Sequence, residues 1–125
     1  MNIDDLTIKQ AKELAAMFGA TSADPASPHI GKKCIIRTYA SGVHFGTLVA
    51  QHGRQVELQN ARRLWRWDVA PHGISLSEVA VHGSTGSQSK ICCPVAEITI
   101  LDALEIIPCR VKAAHVIETA EVYKP

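Results

Sequence analysis

Between Cys34 and Gln59 three short runs of strand-forming residues follow one another, separated by two tight-turn signals. Cys34–Ala40 (CIIRTYA) stops at Ser41-Gly42, and Val43–Ala50 (VHFGTLVA) stops at Gln51-His52-Gly53-Arg54. The run from Gln55 then sets Val56 and Leu58 on one side and Glu57 and Gln59 on the other. Strand side chains alternate between faces, and turns this short can only join antiparallel neighbours. The pattern predicts an antiparallel meander, with Val43, Phe45, Thr47 and Val49 sharing one side of the second strand. Asn60–Trp67 (NARRLWRW) extends the third strand or follows it as a fourth.

Further along, Ser75 and Glu78 have capping-box spacing ahead of Leu76, Val79 and Ala80, and Gly83 supplies a stop. Ser84–Ser89 (STGSQS) reads as a flexible polar loop. Strand character resumes over Lys90–Ile100 and Leu104–Cys109, with Pro94 and Pro108 at strand ends or an edge. A short helix is expected over Lys112–Ala120 and a terminal strand at Val122-Tyr123. The class is α+β: a mainly antiparallel β-sheet body with short helices. At the other end, Thr7 and Gln10 have capping-box spacing and Ile8, Ala11, Leu14, Ala15 and Phe18 share a helical face, closed by Gly19. The expected division is an amphipathic helix over 1–19, suited to oligomerisation, a Pro/Gly/Ser-bearing linker over 20–32 and a β-rich ligand-binding domain over 33–125.

The 125 residues suit a single core, and a formal net charge of +1 leaves any anion contact to a local patch. No stretch approaches the roughly 18 apolar residues of a membrane span, and the acidic start lacks the pattern of a secretion signal. Adjacent Cys92 and Cys93 lack the spacing of a zinc knuckle or a redox pair, so these two, Cys34 and Cys109 read as free thiols of a reducing cytoplasm. No two of the six histidines have the spacing of a metal motif. No nucleophile elbow, Walker loop or dinucleotide fingerprint occurs, and Asp102 and Glu105 read as solvated carboxylates. The expectation is a protein that is not an enzyme and that uses no metal or cofactor.

The run Asn60–Trp67 is where chemistry concentrates. As a strand it puts Arg63, Trp65 and Trp67 on one face and Arg62, Leu64 and Arg66 on the other. A guanidinium forks onto phosphate oxygens, and an indole stacks on a purine. Equally, tryptophans with arginine stems over them serve as core or interface anchors. Arg37 shares a face with Ile35 and Tyr39, where it pairs with a carboxylate or lines a pocket with Arg63. His44, near the first turn, reads first as a satisfied histidine.

The stretches IIRTYASGVHFGTL and VELQNARRLWRW, with ISLSEVA, PVAEI and ALEIIPC after them, resemble a family of small phage and prophage proteins. Those proteins pair an RTYSAGVHxG-like hairpin with an NARRIWYW-like strand, over about Lys32 to Val122 of this chain. Arg66 stands where many of them carry an aromatic residue. That family in turn is similar to the first class of Thoeris anti-defence proteins, phage-encoded sponges that bind cyclic ADP-ribose isomers without cleaving them. Some of these sponges also hold cyclic oligonucleotides of CBASS immunity at separate sites formed by hexamer assembly. The resemblance implies a sequestering protein in the cytoplasm of an infected bacterium. It also implies a small cyclic nucleotide as ligand and a homo-oligomer: a dimer, or a hexamer built as a trimer of dimers. Arg37, Arg62 and Arg63 would take phosphates, Trp65 and Trp67 base or ribose, Asn60 and His44 polar readout, and Arg110 a further phosphate. Neither a membrane nor long nucleic acid is an expected partner. The competing expectation is a phage interaction module that binds a host protein or nucleic acid through the arginine–tryptophan stripe.

Overall fold

The computed structural model describes residues 27–125, so the expected helix over 1–19 and most of the linker lie outside the described residues. Six strands form one antiparallel sheet: β1 (Lys33–Thr38), β2 (Val43–His52), β3 (Gln55–Arg66), β4 (Lys90–Ile91), β5 (Val95–Ile100) and β6 (Ala103–Pro108). Two short helices, α1 (Leu76–His82) and α2 (Val111–Thr119), complete the body. The three-strand meander is present as the alternation predicts. Asn60–Arg66 continues β3 rather than starting a new strand, which makes β3 long enough to hold β5 along its first half and β4 at its end. The expected strand over Lys90–Ile100 is thus two strands, interrupted at Cys92–Pro94. Val122-Tyr123 forms no strand; the Tyr123 N–H instead donates to the Ile91 carbonyl at 2.9 Å.

Three consecutive buried residues of β1 show how both faces of the sheet become core. Ile35 joins Val43, Phe45 and Leu64 under Leu76, Val79, Ala114 and Ile117 of the two helices. Cys34 and Ile36 point the other way, to Leu48, Val56, Leu58, Ala61, Ile100 and Ala103. Among the described residues no helical residue belongs to this second cluster, whose members come from five strands of the sheet. Those five strands lie in the order β6-β1-β2-β3-β5. Its two ends, β5 and β6, are joined through Leu101-Asp102 alone, and the Ala103 N–H bonds the Arg54 carbonyl of the β2–β3 turn at 3.0 Å, which brings the start of β6 over to that turn. The two faces are called here the helix face and the inner face.

β3 carries a bulge at Asn60. Phe45 opposes Arg62 and Thr47 opposes Gln59, so β3 spends one residue more than β2 over this interval. Asn60 takes the left-handed conformation (φ 52°), which asparagine tolerates better than most residues. Opposite lies Gly46, where a β-carbon would stand 3.1 Å from Leu58 Cβ, 3.2 Å from the Gln59 carbonyl and 3.3 Å from Ala61 Cα. Two of those neighbours are backbone and cannot swing aside. Gly46→Ala is therefore expected to destabilise the fold by about 1–3 kcal/mol, read as a lower urea midpoint. A second irregularity between Leu48 and Ala50 leaves Val49 37% exposed, so the expected Val43–Val49 stripe breaks after Thr47.

Ser84–Ser89, expected to be a flexible loop, is pinned by Asp68. The Asp68 carboxylate accepts the Gln88 and Ala70 N–H groups at 3.1 Å each, its carbonyl accepts Gly86 N–H, and its own N–H donates to Ser84 Oγ at 2.8 Å. The expected capping box of α1 is present, with the Ser75 N–H bonded to Glu78 Oε2 at 3.0 Å. Among the described residues, no helix is long and apolar enough to cross a membrane.

Candidate functional site

Strand register decides which candidate residues can meet. Residues directly opposed across antiparallel strands project to the same face. Arg37, Val43 and Leu64 form one such row, on the helix face. Ile36, His44 and Arg63 form the next, on the inner face. Arg37 and Arg63 are therefore on opposite faces, and the expected pocket shared between them does not form. Arg37 is instead ion-paired with Glu105, its opposite number on β6.

Arg62 is also a correction. It is buried on the helix face, 3% exposed, where its Nε donates to the Cys92 carbonyl at 2.8 Å. Its Nη1 donates to the carbonyls of Ile117 at 2.8 Å and Ala120 at 2.6 Å. Both carbonyls lie at the end of α2, where that of Ile117 also accepts the Ala120 N–H at 3.3 Å, so this guanidinium fastens the helix to the sheet and is spent on the backbone rather than offered to a phosphate. Asn60 serves the bulge, and Arg110 precedes α2 with its N–H on the Ala80 carbonyl at 2.9 Å; neither lines the groove described next.

Arg63, Trp65 and Trp67 do come together. With Ala40, Ser41, Gly42, Val43 and Leu64 they line an open groove of about 630 Å³ between the β1–β2 turn and the outgoing end of β3. That volume lies within the range of small-molecule sites. Trp65 is 71% exposed. Trp67 is half-buried against the helix-face core and donates its indole N–H to the Ile74 carbonyl at 3.0 Å, which fixes the plane of its ring. Arg63 is exposed and has no carboxylate partner among the described residues. The groove thus offers one unpaired guanidinium, one free indole and one held indole.

Its opposite wall is a turn built to hold shape. The Thr38 hydroxyl donates to the Gly42 carbonyl at 2.7 Å and accepts the Ser41 N–H at 2.9 Å. Gly42 has φ 91°, a conformation that favours glycine. Asp102, expected to be merely solvated, accepts the Ala40 N–H at 2.7 Å and the Ser41 hydroxyl at 3.1 Å, and these bonds hold its carboxyl below the usual range. The turn was legible as Ser41-Gly42. Its role as a wall, and Asp102 as its anchor, carried no local signal because the partners lie some sixty residues apart in the chain.

His44 is buried behind this wall, with Nε2 on the Ser41 carbonyl at 3.0 Å. Burial, then the neighbouring Arg63 charge, lowers its pKa. His82 is also lowered, by partial burial and by the charges of His72, Arg110 and Lys112; its ring stacks on His72 at 3.8 Å. An imidazole whose folded pKa is depressed takes up protons more readily when unfolded. Its contribution to stability is then present above the ordinary histidine value of about 6.5 and is lost as pH falls from there through the folded value. The urea midpoint is expected to fall between pH 7.5 and 5.5, and His82→Gln is expected to flatten part of that slope.

A family model described as a domain of unknown function (DUF6948) matches residues 31–117, which takes in every strand, α1 and most of α2. No curated protein and no solved structure matches the chain.

Proposed function

We propose, for a chain that belongs to the family described as a domain of unknown function (DUF6948), that it is a non-catalytic binding protein. It takes up a small anionic nucleotide of the cyclic ADP-ribose type and withholds it unchanged. The observation that carries this reading is the groove itself, where Arg63, without a carboxylate partner among the described residues, lies beside Trp65 and Trp67 and a hydrogen-bonded turn. A guanidinium there meets a phosphate, while the indoles pack on a base or ribose. The motif resemblance to nucleotide-sequestering phage proteins points to the same ligand class and to the cytoplasm of an infected bacterium as the place of action.

The groove is open on one side, and one unpaired guanidinium is few for a diphosphate. A second copy of the chain laid over the exposed Trp65 would supply another arginine and shut out water. The proposed working form is therefore a homo-oligomer, a dimer or a hexamer made of three dimers. Native mass spectrometry with a panel of cyclic ADP-ribose isomers and cyclic di- and trinucleotides tests ligand and assembly together. A ligand-bound oligomer that releases its nucleotide with unchanged mass after denaturation is the expected result. Release of a cleaved product would overturn the non-catalytic reading. Binding of none of the panel, with capture of single-stranded nucleic acid that weakens steeply with salt, would replace it with the interaction-module reading.

A further inference from the structure

The four cysteines fall into two environments. Cys34 is fully buried in the inner core and Cys109 is half-buried beside the Ile107 carbonyl; burial pushes their thiols up to about 11 and about 12. Cys92 and Cys93 sit on the segment between β4 and β5, Cys92 half-buried and Cys93 exposed. With His44, Ala61, Arg63, Val95 and Ile98 they line a second cleft, of about 220 Å³. Arg63 lines this cleft and the tryptophan groove alike.

The backbone of Cys92 is held between Arg63 and Arg62. The Cys92 N–H donates to the Arg63 carbonyl at 2.8 Å, and the Cys92 carbonyl accepts Arg62 Nε at 2.8 Å. Arg62, on the helix face and not part of the cleft lining, has Nη2 buried without a hydrogen-bond partner. On the open side, Arg63 has no carboxylate partner among the described residues. A reagent entering the cleft therefore meets an accessible sulfur in a lining shared with an arginine that no carboxylate of the described residues pairs.

We propose that Cys93 is a modification site for an anionic low-molecular-weight disulfide of the glutathione class, drawn in by Arg63. The Cys93 sulfur, as thiolate, attacks one sulfur of the disulfide, whose S–S bond breaks as the Cys93–S bond forms. The other half departs as a thiolate and takes up the proton that Cys93 released to solvent, so no further oxidant is needed. The adduct brings carboxylates to Arg63. It thereby competes with a phosphate for the same guanidinium and places nucleotide uptake under redox control. This last consequence rests on the nucleotide reading; the modification itself does not.

The full-length chain is incubated with oxidised glutathione or with the neutral bis(2-hydroxyethyl) disulfide, and adducts are mapped by peptide mass spectrometry. Glutathione is expected on Cys93 at least about tenfold faster than on Cys34 or Cys109. Arg63→Gln is expected to slow the glutathione reaction several-fold while leaving the neutral disulfide reaction within about twofold. Cys93→Ser is expected to lose the adduct and Cys92→Ser to keep it. Similar rates at all four cysteines, or an Arg63→Gln effect equal for both disulfides, overturns the proposal. An Arg63-dependent adduct on a protein that binds no nucleotide sinks the groove reading and leaves the thiol site standing. Nucleotide binding without Arg63-dependent labelling does the reverse.

Discussion

Arg62→Met is expected to lose about 2–4 kcal/mol of stability, one of the largest single-residue effects in the molecule, read as a lower urea midpoint with little change in slope. The substitution keeps an unbranched apolar stem but removes the guanidinium donors from the carbonyls of Cys92, Ile117 and Ala120, of which that of Ile117 keeps a second donor, the Ala120 N–H at 3.3 Å. Each buried carbonyl left without a donor costs about 1–3 kcal/mol, and relief from burying a guanidinium offsets part of that sum. Arg62→Lys should rescue little. An ammonium is a compact donor, whereas these acceptors lie around a planar fork that reaches the end of α2 and the strand link at once. Domains of this size carry roughly 5–15 kcal/mol in total, so the change consumes a large share of it. A wild-type-like midpoint for Arg62→Met would mean that α2 docks without this clamp.

The second large effect concerns binding. Arg63→Gln is expected to weaken nucleotide affinity by about ten- to a hundredfold, the worth of one charge-assisted hydrogen bond to phosphate. Trp65→Ala is expected to cost a similar factor through lost stacking. Both side chains are exposed, so neither substitution should move the unfolding midpoint appreciably. That contrast with Arg62 is the useful part. Adjacent arginines in one strand are assigned a purely structural and a purely binding role, and calorimetric titration beside urea unfolding separates the two. Wild-type affinity in both Arg63→Gln and Trp65→Ala would remove the groove from consideration.

Much of the fold was readable because it is local. Alternation in Cys34–Gln59, turns at Ser41-Gly42 and His52-Gly53, and the Ser75–Glu78 cap are each set within a few residues. The meeting of Gly46 with a bulge at Asn60 was not readable, nor was the arrival of β5 and β6 at opposite ends of the strand order, since both depend on pairing between strands. The candidate site divided along the same line. Period two placed Arg63, Trp65 and Trp67 on one face; they do line one groove, but β3 ends at Arg66 and Trp67 packs on the helix-face core, so the groove wraps the strand end instead of lying on a single face. The same rule put Arg62 on the other face but gave no sign that the end of α2, fifty-five residues away, would claim its donors. Arg37 was grouped with Arg63 only by residue type. Cross-strand register separates them, and register is a property of pairing, which a single strand does not encode.

The chain has two tryptophans, so a nitrogen–proton correlation spectrum of the full protein contains two indole signals, one per side chain of the groove. Titrating a cyclic ADP-ribose isomer into the labelled protein is the most direct test of whether this groove holds the ligand. Movement of the Trp65 indole signal, with a smaller shift for the tethered Trp67 and shifts at the Ser41 and Gly42 amides, is the predicted result. Saturable binding in which both indole signals stay fixed would contradict it, since the nucleotide would then be held elsewhere on the molecule.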